Sequence, residues 1–265
     1  MPDIERYLGR DMRRVEGWLH DLTARVIATL GQHQTATGIA GALGEIGVHH
    51  GKLWLVLDHV ATPQETRFAI DLFDRQDLNT DRSGRGNLER FQRNRARFGA
   101  SGGRLEIIAA SSLDITPDQL RERVGEVRLF SVDGGHTAEC TVNDLRLAEA
   151  VLSTDGIVAL DDVFNEHWPG IMTGLATYLQ AGDGGLVPFA IVPGKVLLAR
   201  QPAASRYDDF LRTRFAPELH KTHDFFGRDV PILMRHVAFA RRVKSFIQGT
   251  ALEPLARRIY ERFLR

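Results

Sequence analysis

LVPFAIVPGKVLLAR, residues 186–200, is the stretch whose reading decides the fold. It holds two apolar runs of strand character with only Pro193-Gly194 between them. So short a link joins antiparallel neighbours, because a parallel return needs a crossover of about a dozen residues. The chain upstream has the opposite texture. Apolar runs at residues 39–46, 67–73, 105–109, 127–132 and 156–160 read as strands. Amphipathic segments at 51–60, 87–98, 117–124, 137–152 and 170–180 read as helices between and after them. Five such units argue for a mostly parallel sheet covered by helices on both faces. The expected architecture is therefore α/β: a seven-stranded sheet whose last two strands form a reversed terminal hairpin.

Both ends of the chain read as helical extensions. Ile4, Leu8, Met12, Val15, Leu19, Leu22, Val26 and Leu30 recur at three- and four-residue steps and predict one helix over residues 3–32. From Tyr207 onward the pattern is amphipathic, ending in ALEPLARRIYERFLR, residues 251–265, which reads as a surface helix. The expected division is 1–37 for the N-terminal extension, 38–200 for the sheet domain and 201–265 for the C-terminal extension. The polar stretch DRQDLNTDRSGRG, residues 74–86, is the longest irregular segment. A loop of this length in a compact domain usually serves function.

Composition narrows the classes. The 265 residues are 43% apolar and 26% charged, an ordinary globular balance. A net charge of zero speaks against a nucleic-acid binder, despite an arginine-rich tail. The single cysteine, Cys140, excludes an internal disulfide and a multi-cysteine zinc site. No apolar run is long enough to span a membrane, and no apolar signal core opens the chain, so a cytoplasmic location is expected.

Five strand ends carry the chemistry. In an open α/β sheet, ligands bind at the carboxyl ends of the strands. LGEIGVHHG, residues 43–51, follows the first strand and has neither the Walker A lysine nor the G-x-G-x-x-G spacing. Gly47 permits a close backbone approach, and a helix starts near Gly51. Glu45 would repel a pyrophosphate but suits a ligand with an amino group or a sulfonium, and S-adenosylmethionine has both. A tight packing turn is the bland alternative. The second strand ends in AIDLFD, where Asp71, with Asp74 in reserve, is placed to accept ribose hydroxyls. Ser111 and Ser112 in AASSLD are placed to reach an adenine edge.

The fourth strand ends in SVDGGH and the fifth in VALDDVF. Adjacent strand ends bring Asp133, His136, Asp161 and Asp162 into one crevice. Clustered carboxylates repel, so either one takes up a proton or a cation sits between them. An all-oxygen site suits Mg²⁺ or Ca²⁺. His136, three residues beyond Asp133, is a candidate general base for a hydroxyl. Asp161 or Asp162 as a simple helix cap is the competing reading. His167 and Trp168, shortly after the acid pair, are candidates to close over a sugar ring.

Together GEIGVHHGK, AIDLFD, SVDGGHTAECTVNDL and GIVALDDVF resemble the macrocin-type class I methyltransferases, Mg²⁺-dependent sugar O-methyltransferases. The likeness runs over roughly residues 38–200. It implies a Rossmann-like class I methyltransferase fold, S-adenosylmethionine and Mg²⁺ as cofactors, and a saccharide or small-molecule acceptor. It also implies a homo-oligomer. Asp133, Asp161 and Asp162 match the metal-binding acids, with Asp133 also beside the cofactor. His136 matches the base, Glu45 and Gly47 the cofactor loop, and Asp71 the ribose acid. Some members carry Glu where this chain has Asp161. A catechol-type O-methyltransferase and a non-catalytic scaffold of the same fold are the alternatives.

Overall fold

A computed structural model describes residues 4–79, 81–100 and 102–235. Five strands, β1 (Ala42–Ile46), β2 (Arg67–Asp71), β3 (Leu105–Ala109), β4 (Val127–Val132) and β5 (Leu152–Asp161), run parallel. β6 (Leu186–Val192) and β7 (Lys195–Arg200) form the reversed hairpin, and β7 inserts beside β5. The order is β3-β2-β1-β4-β5-β7-β6, extended by two further strands, β9 (Asp229–Leu233) and β8 (Leu219–Asp224). Among the described residues, the predicted seven strands are thus the core of a nine-stranded sheet.

Alternate side chains of the strands feed two cores, as expected when both faces of a sheet are covered. Leu43, Leu129, Ile157 and Ala159 pack under α1 (Ile4–Gly9), α2 (Asp21–Ala36), α3 (Trp54–Val60), α4 (Leu88–Phe98) and α8 (Gln201–Arg214). Ile46, Phe130, Val158 and Leu160 pack under α5 (Pro117–Val124), α6 (Ala138–Val151) and α7 (Pro169–Ala181). Among the described residues no helix is long and apolar enough to cross a membrane.

Two expectations are corrected. The helix over 3–32 is broken: α1 and a short 3₁₀ turn (Asp11–Arg14) precede α2, and residues 15–20 are irregular. The periodicity was real, since Met12, Val15 and Leu22 are all buried. Gly17, however, takes φ of 138°, which no helix allows. The chain after Tyr207 is not helical throughout either. α8 ends at Arg214, and β8 and β9 make an antiparallel hairpin joined to β6 at Ile191 and Ile232. The turn between them, with Phe226 and Gly227 both at positive φ, reverses the chain. Residues 251–265 lie outside the described residues.

Candidate active site

At the carboxyl ends of β1–β5 lies a pocket of about 830 Å³. One wall comes from the loops after β1, β2 and β3, including Gly47, Val48, His49, Asp71, Ser111 and Ser112. The other comes from Asp133, His136, Asp161, Asp162 and Trp168. The roof includes Trp18 and His20 from the irregular N-terminal segment and Asn79, Asp81 and Gly84 from the polar loop.

Gly47 has φ of 80°, and a Cβ there would stand 1.6 Å from the Asp133 carbonyl oxygen. Its glycine is therefore required by the approach of the β1 and β4 ends to each other. Gly51 does not line the pocket; a Cβ on it would press on Phe91 at 2.8 Å. Asp71 Oδ2 accepts the His49 N–H at 2.7 Å and Oδ1 accepts the Phe73 N–H at 2.5 Å. Burial raises its pKa against those bonds. Asp74 points elsewhere, accepting from Asn87 Nδ2 beside the start of α4. Ser111 caps a short 3₁₀ turn through the Leu113 N–H.

Glu45 is buried at the pocket floor, where Ser131 Oγ donates to it at 3.0 Å. Burial pushes its carboxyl up to about 8, against the lowering pull of Lys195 and Ser131. Asp133 is likewise raised, by burial first and by the Asp161 charge next. Burial therefore favours the protonated form of Glu45 at neutral pH and drives Asp133 in the same direction. Lys195, which sequence reasoning passed over, lies across the sheet from Asp161, its Nζ 2.5 Å from Asp161 Oδ2.

Asp162 is one of five non-glycine residues at positive φ among the described residues, at 55°. Its own N–H donates to the Gly194 carbonyl at 2.8 Å and to Asp161 Oδ1 at 2.9 Å. This left-handed turn sends the two neighbouring acids in different directions, Asp161 to Lys195 and Asp162 to His136. Such a conformation costs about 1–2 kcal/mol and marks functional sites.

His136 is fixed on three sides. Its Nδ1 and its backbone N–H both reach Asp81 Oδ2, at 2.7 and 2.9 Å. Nε2 stands 3.6 Å from Asp162 Oδ2, and the ring stacks on Trp168 with centroids 4.3 Å apart. Burial disfavours the imidazolium, but hydrogen bonds to Asp162 and Asp81 outweigh it and raise the His136 pKa. Asp81 is pulled down to about 2 by bonds from Ser83 and His136, despite its burial. The only sequence signal for Asp81 was its place in a long polar loop. Ligand atoms of Asp133, His136 and Asp162 all lie within 4.8 Å of one another, the grouping in the described residues that could hold a metal ion.

Residues 45–163 match the model of a methyltransferase domain. Among solved structures, the chain is similar to the O-methyltransferase NovP, with 18% identity, a TM-score of 0.55, and 68% of this chain and 80% of that one covered. Cofactor-bound Rv0187 from MTB shares 15% identity over 74% of this chain and 89% of its own, with a TM-score of 0.53. TomG from Streptomyces achromogenes, an O-methyltransferase of tomaymycin synthesis solved with SAM, shares 14% over 75% and 89%, with a TM-score of 0.51. Among curated proteins, none matches the chain. Likeness at these identities speaks for the fold, and the domain match covers the segment that supplies most of the pocket lining. The chain thus has the fold of class I methyltransferases, and its residues 45–163 resemble a methyltransferase domain.

Proposed function

We propose that the chain transfers a methyl group from S-adenosylmethionine to a hydroxyl of a sugar, with a divalent cation of the Mg²⁺ kind beside the acceptor. One observation carries this reading: a single pocket joins the β1–β3 loop ends to Asp133, His136 and Asp162. The Gly47–His49 backbone and Asp71 suit the cofactor's ribose and amino-acid part, and Ser111 and Ser112 suit its adenine. S-adenosylmethionine supplies an electrophilic methyl group.

The acids fit a cation. Asp133 is a carboxyl that burial and its acid neighbours drive toward protonation, and a cation relieves that strain. Mg²⁺ is content with one or two carboxylates, its other positions taken by water or substrate oxygen. When bound it would acidify an acceptor hydroxyl.

His136 takes the acceptor proton. Asp81 holds Nδ1–H, which fixes the tautomer and leaves the Nε2 lone pair toward Asp162 and the pocket. Trp168 holds the ring plane. The sugar is supported by two tryptophans on the pocket wall, Trp18 and Trp168, whose flat faces suit sugar C–H surfaces.

Calorimetric titration with S-adenosylhomocysteine tests the base of this reading. One-to-one binding is expected. A methyl-transfer screen over sugars and catechols, with Mg²⁺ and with chelator, then tests the rest: incorporation into sugars only, and only with the cation. A folded protein that ignores S-adenosylhomocysteine would end the proposal.

A further inference from the structure

The two acids at the end of β5 are neighbours in sequence but differ in their ion-pair partners: Lys195 for Asp161, which also faces Asp133, and His136 for Asp162. Asp161 pairs directly across the antiparallel β5–β7 ladder with Lys195. Register, rather than a rotamer choice, therefore sets the two side chains on one face of the sheet. Lys195 is 2% exposed, and apart from Asp161 its Nζ has no hydrogen-bond partner among the described residues. An ammonium so buried is held by its counter-ion. Asp162 turns away through its left-handed backbone, and its carboxylate groups with Asp133 and His136.

We propose that Lys195 is a built-in cation that occupies Asp161, so that a divalent cation is held by Asp133 and Asp162 and not by Asp161. This rests on the cation reading above and narrows it. Charge supports the split. Asp161 and Lys195 cancel each other, and two remaining carboxylates, Asp133 and Asp162, match the charge of one divalent ion. The fixed ammonium also lies close enough to Asp133 and Glu45 to act on both, which limits how strongly the site attracts a cation. The site is then one of weak, exchangeable metal binding, with positions open to substrate oxygens.

Mn²⁺ binding separates the possibilities, read by the loss of the free-ion paramagnetic resonance signal on the full chain saturated with S-adenosylhomocysteine. Asp161→Asn alone would strand the ammonium, so the deciding variant is the charge-conserving double change Asp161→Asn with Lys195→Met. Calorimetry with S-adenosylhomocysteine verifies that each variant is folded. The double variant is expected to bind Mn²⁺ within about threefold of the parent, and Asp162→Asn to bind it at least tenfold more weakly. A tenfold or greater loss in the double variant, with Mn²⁺ binding normal in the parent, would make Asp161 a ligand and overturn the proposal alone. A parent chain that binds S-adenosylhomocysteine but no Mn²⁺ would overturn the cation reading, and this proposal with it.

Discussion

The two ends of the parallel sheet both bury charge, and they do so to opposite effect. At the amino ends, Arg128 of β4 is fully buried and saturated. It donates to both oxygens of Glu65, to Gln34 Oε1, to Thr35 Oγ1 and to the Gly31 and Val60 carbonyls. Glu65 also accepts the Gly41 and Thr62 N–H groups, and these bonds with Arg128 hold its pKa below the usual carboxylate range in spite of burial. At the carboxyl ends, Glu45, Asp133 and Asp161 surround one ammonium, and Glu45 and Asp133 are pushed upward. A saturated network anchors the helices α2 and α3 to the sheet. An acid-rich one is left under tension that a ligand can relieve.

Substitutions should separate the two ends. His136→Ala is expected to lower kcat by about 100- to 10,000-fold, the range for losing a general base, while urea unfolding stays near that of the parent. The Asp81→Asn variant sharpens this. Asp81 helps to raise the His136 pKa, and a base works only when unprotonated, so activity falls on the acid side below that raised value. Removing the Asp81 charge should move this acid limb of the kcat profile to lower pH. An unmoved limb would mean that another group is the base.

Arg128→Met is the converse case. Breaking a buried ion pair from one side costs about 3–5 kcal/mol, here read as a lower urea midpoint. Cofactor affinity of the folded fraction should be unchanged. If stability held and affinity dropped, the two ends of the sheet would be coupled rather than separate.

Glu45→Gln should have a smaller effect, visible only against pH. The folded pKa of Glu45, about 8, exceeds its ordinary value, so the native state holds a proton that the unfolded chain releases. Its contribution is fully present at low pH and is lost as pH rises toward 8. The stability advantage of the parent over Glu45→Gln should therefore shrink steadily between about pH 4.5 and 8, as measured by unfolding at several pH values. Parallel curves would show that Glu45 ionises normally.

How much of this was legible depends on how local the signal is. The hairpin at Pro193-Gly194 and the five strand–helix units are written in short-range pattern, and each was found. The acids and His136 stand at strand ends, so topology alone brought them together. Other features are set by long-range contact. Asp81 meets His136 across 55 residues of chain, and Lys195 meets Asp161 only once β7 has inserted beside β5. The β8–β9 hairpin hid because β8 is almost wholly solvent-facing, so it lacks the apolar alternation that marks a half-buried strand. Pro231 further disguised β9, because a proline argues against a strand with neighbours on both sides, which β9 has in β8 and β6.

Two tryptophans carry the same contrast to its finest scale. Trp54 is fully buried, donates Nε1–H to the Phe68 carbonyl at 2.8 Å and meets Phe91 edge-on. Trp18 is 81% exposed, yet it lines the pocket and lies against His49 at 5.6 Å. Its segment is held by other groups, chiefly Lys52 Nζ donating to the Gly17 carbonyl at 2.7 Å. Removing the Trp18 indole therefore takes nothing from the core, and Trp18→Ala should shift stability by less than about 0.5 kcal/mol. An aromatic wall of this kind contributes about 1 kcal/mol to a partner stacked on it, so acceptor KM should rise about fivefold. Cofactor affinity and kcat should hold. A fall in kcat with KM unchanged would instead make Trp18 a part of the closed catalytic geometry rather than a wall for the acceptor.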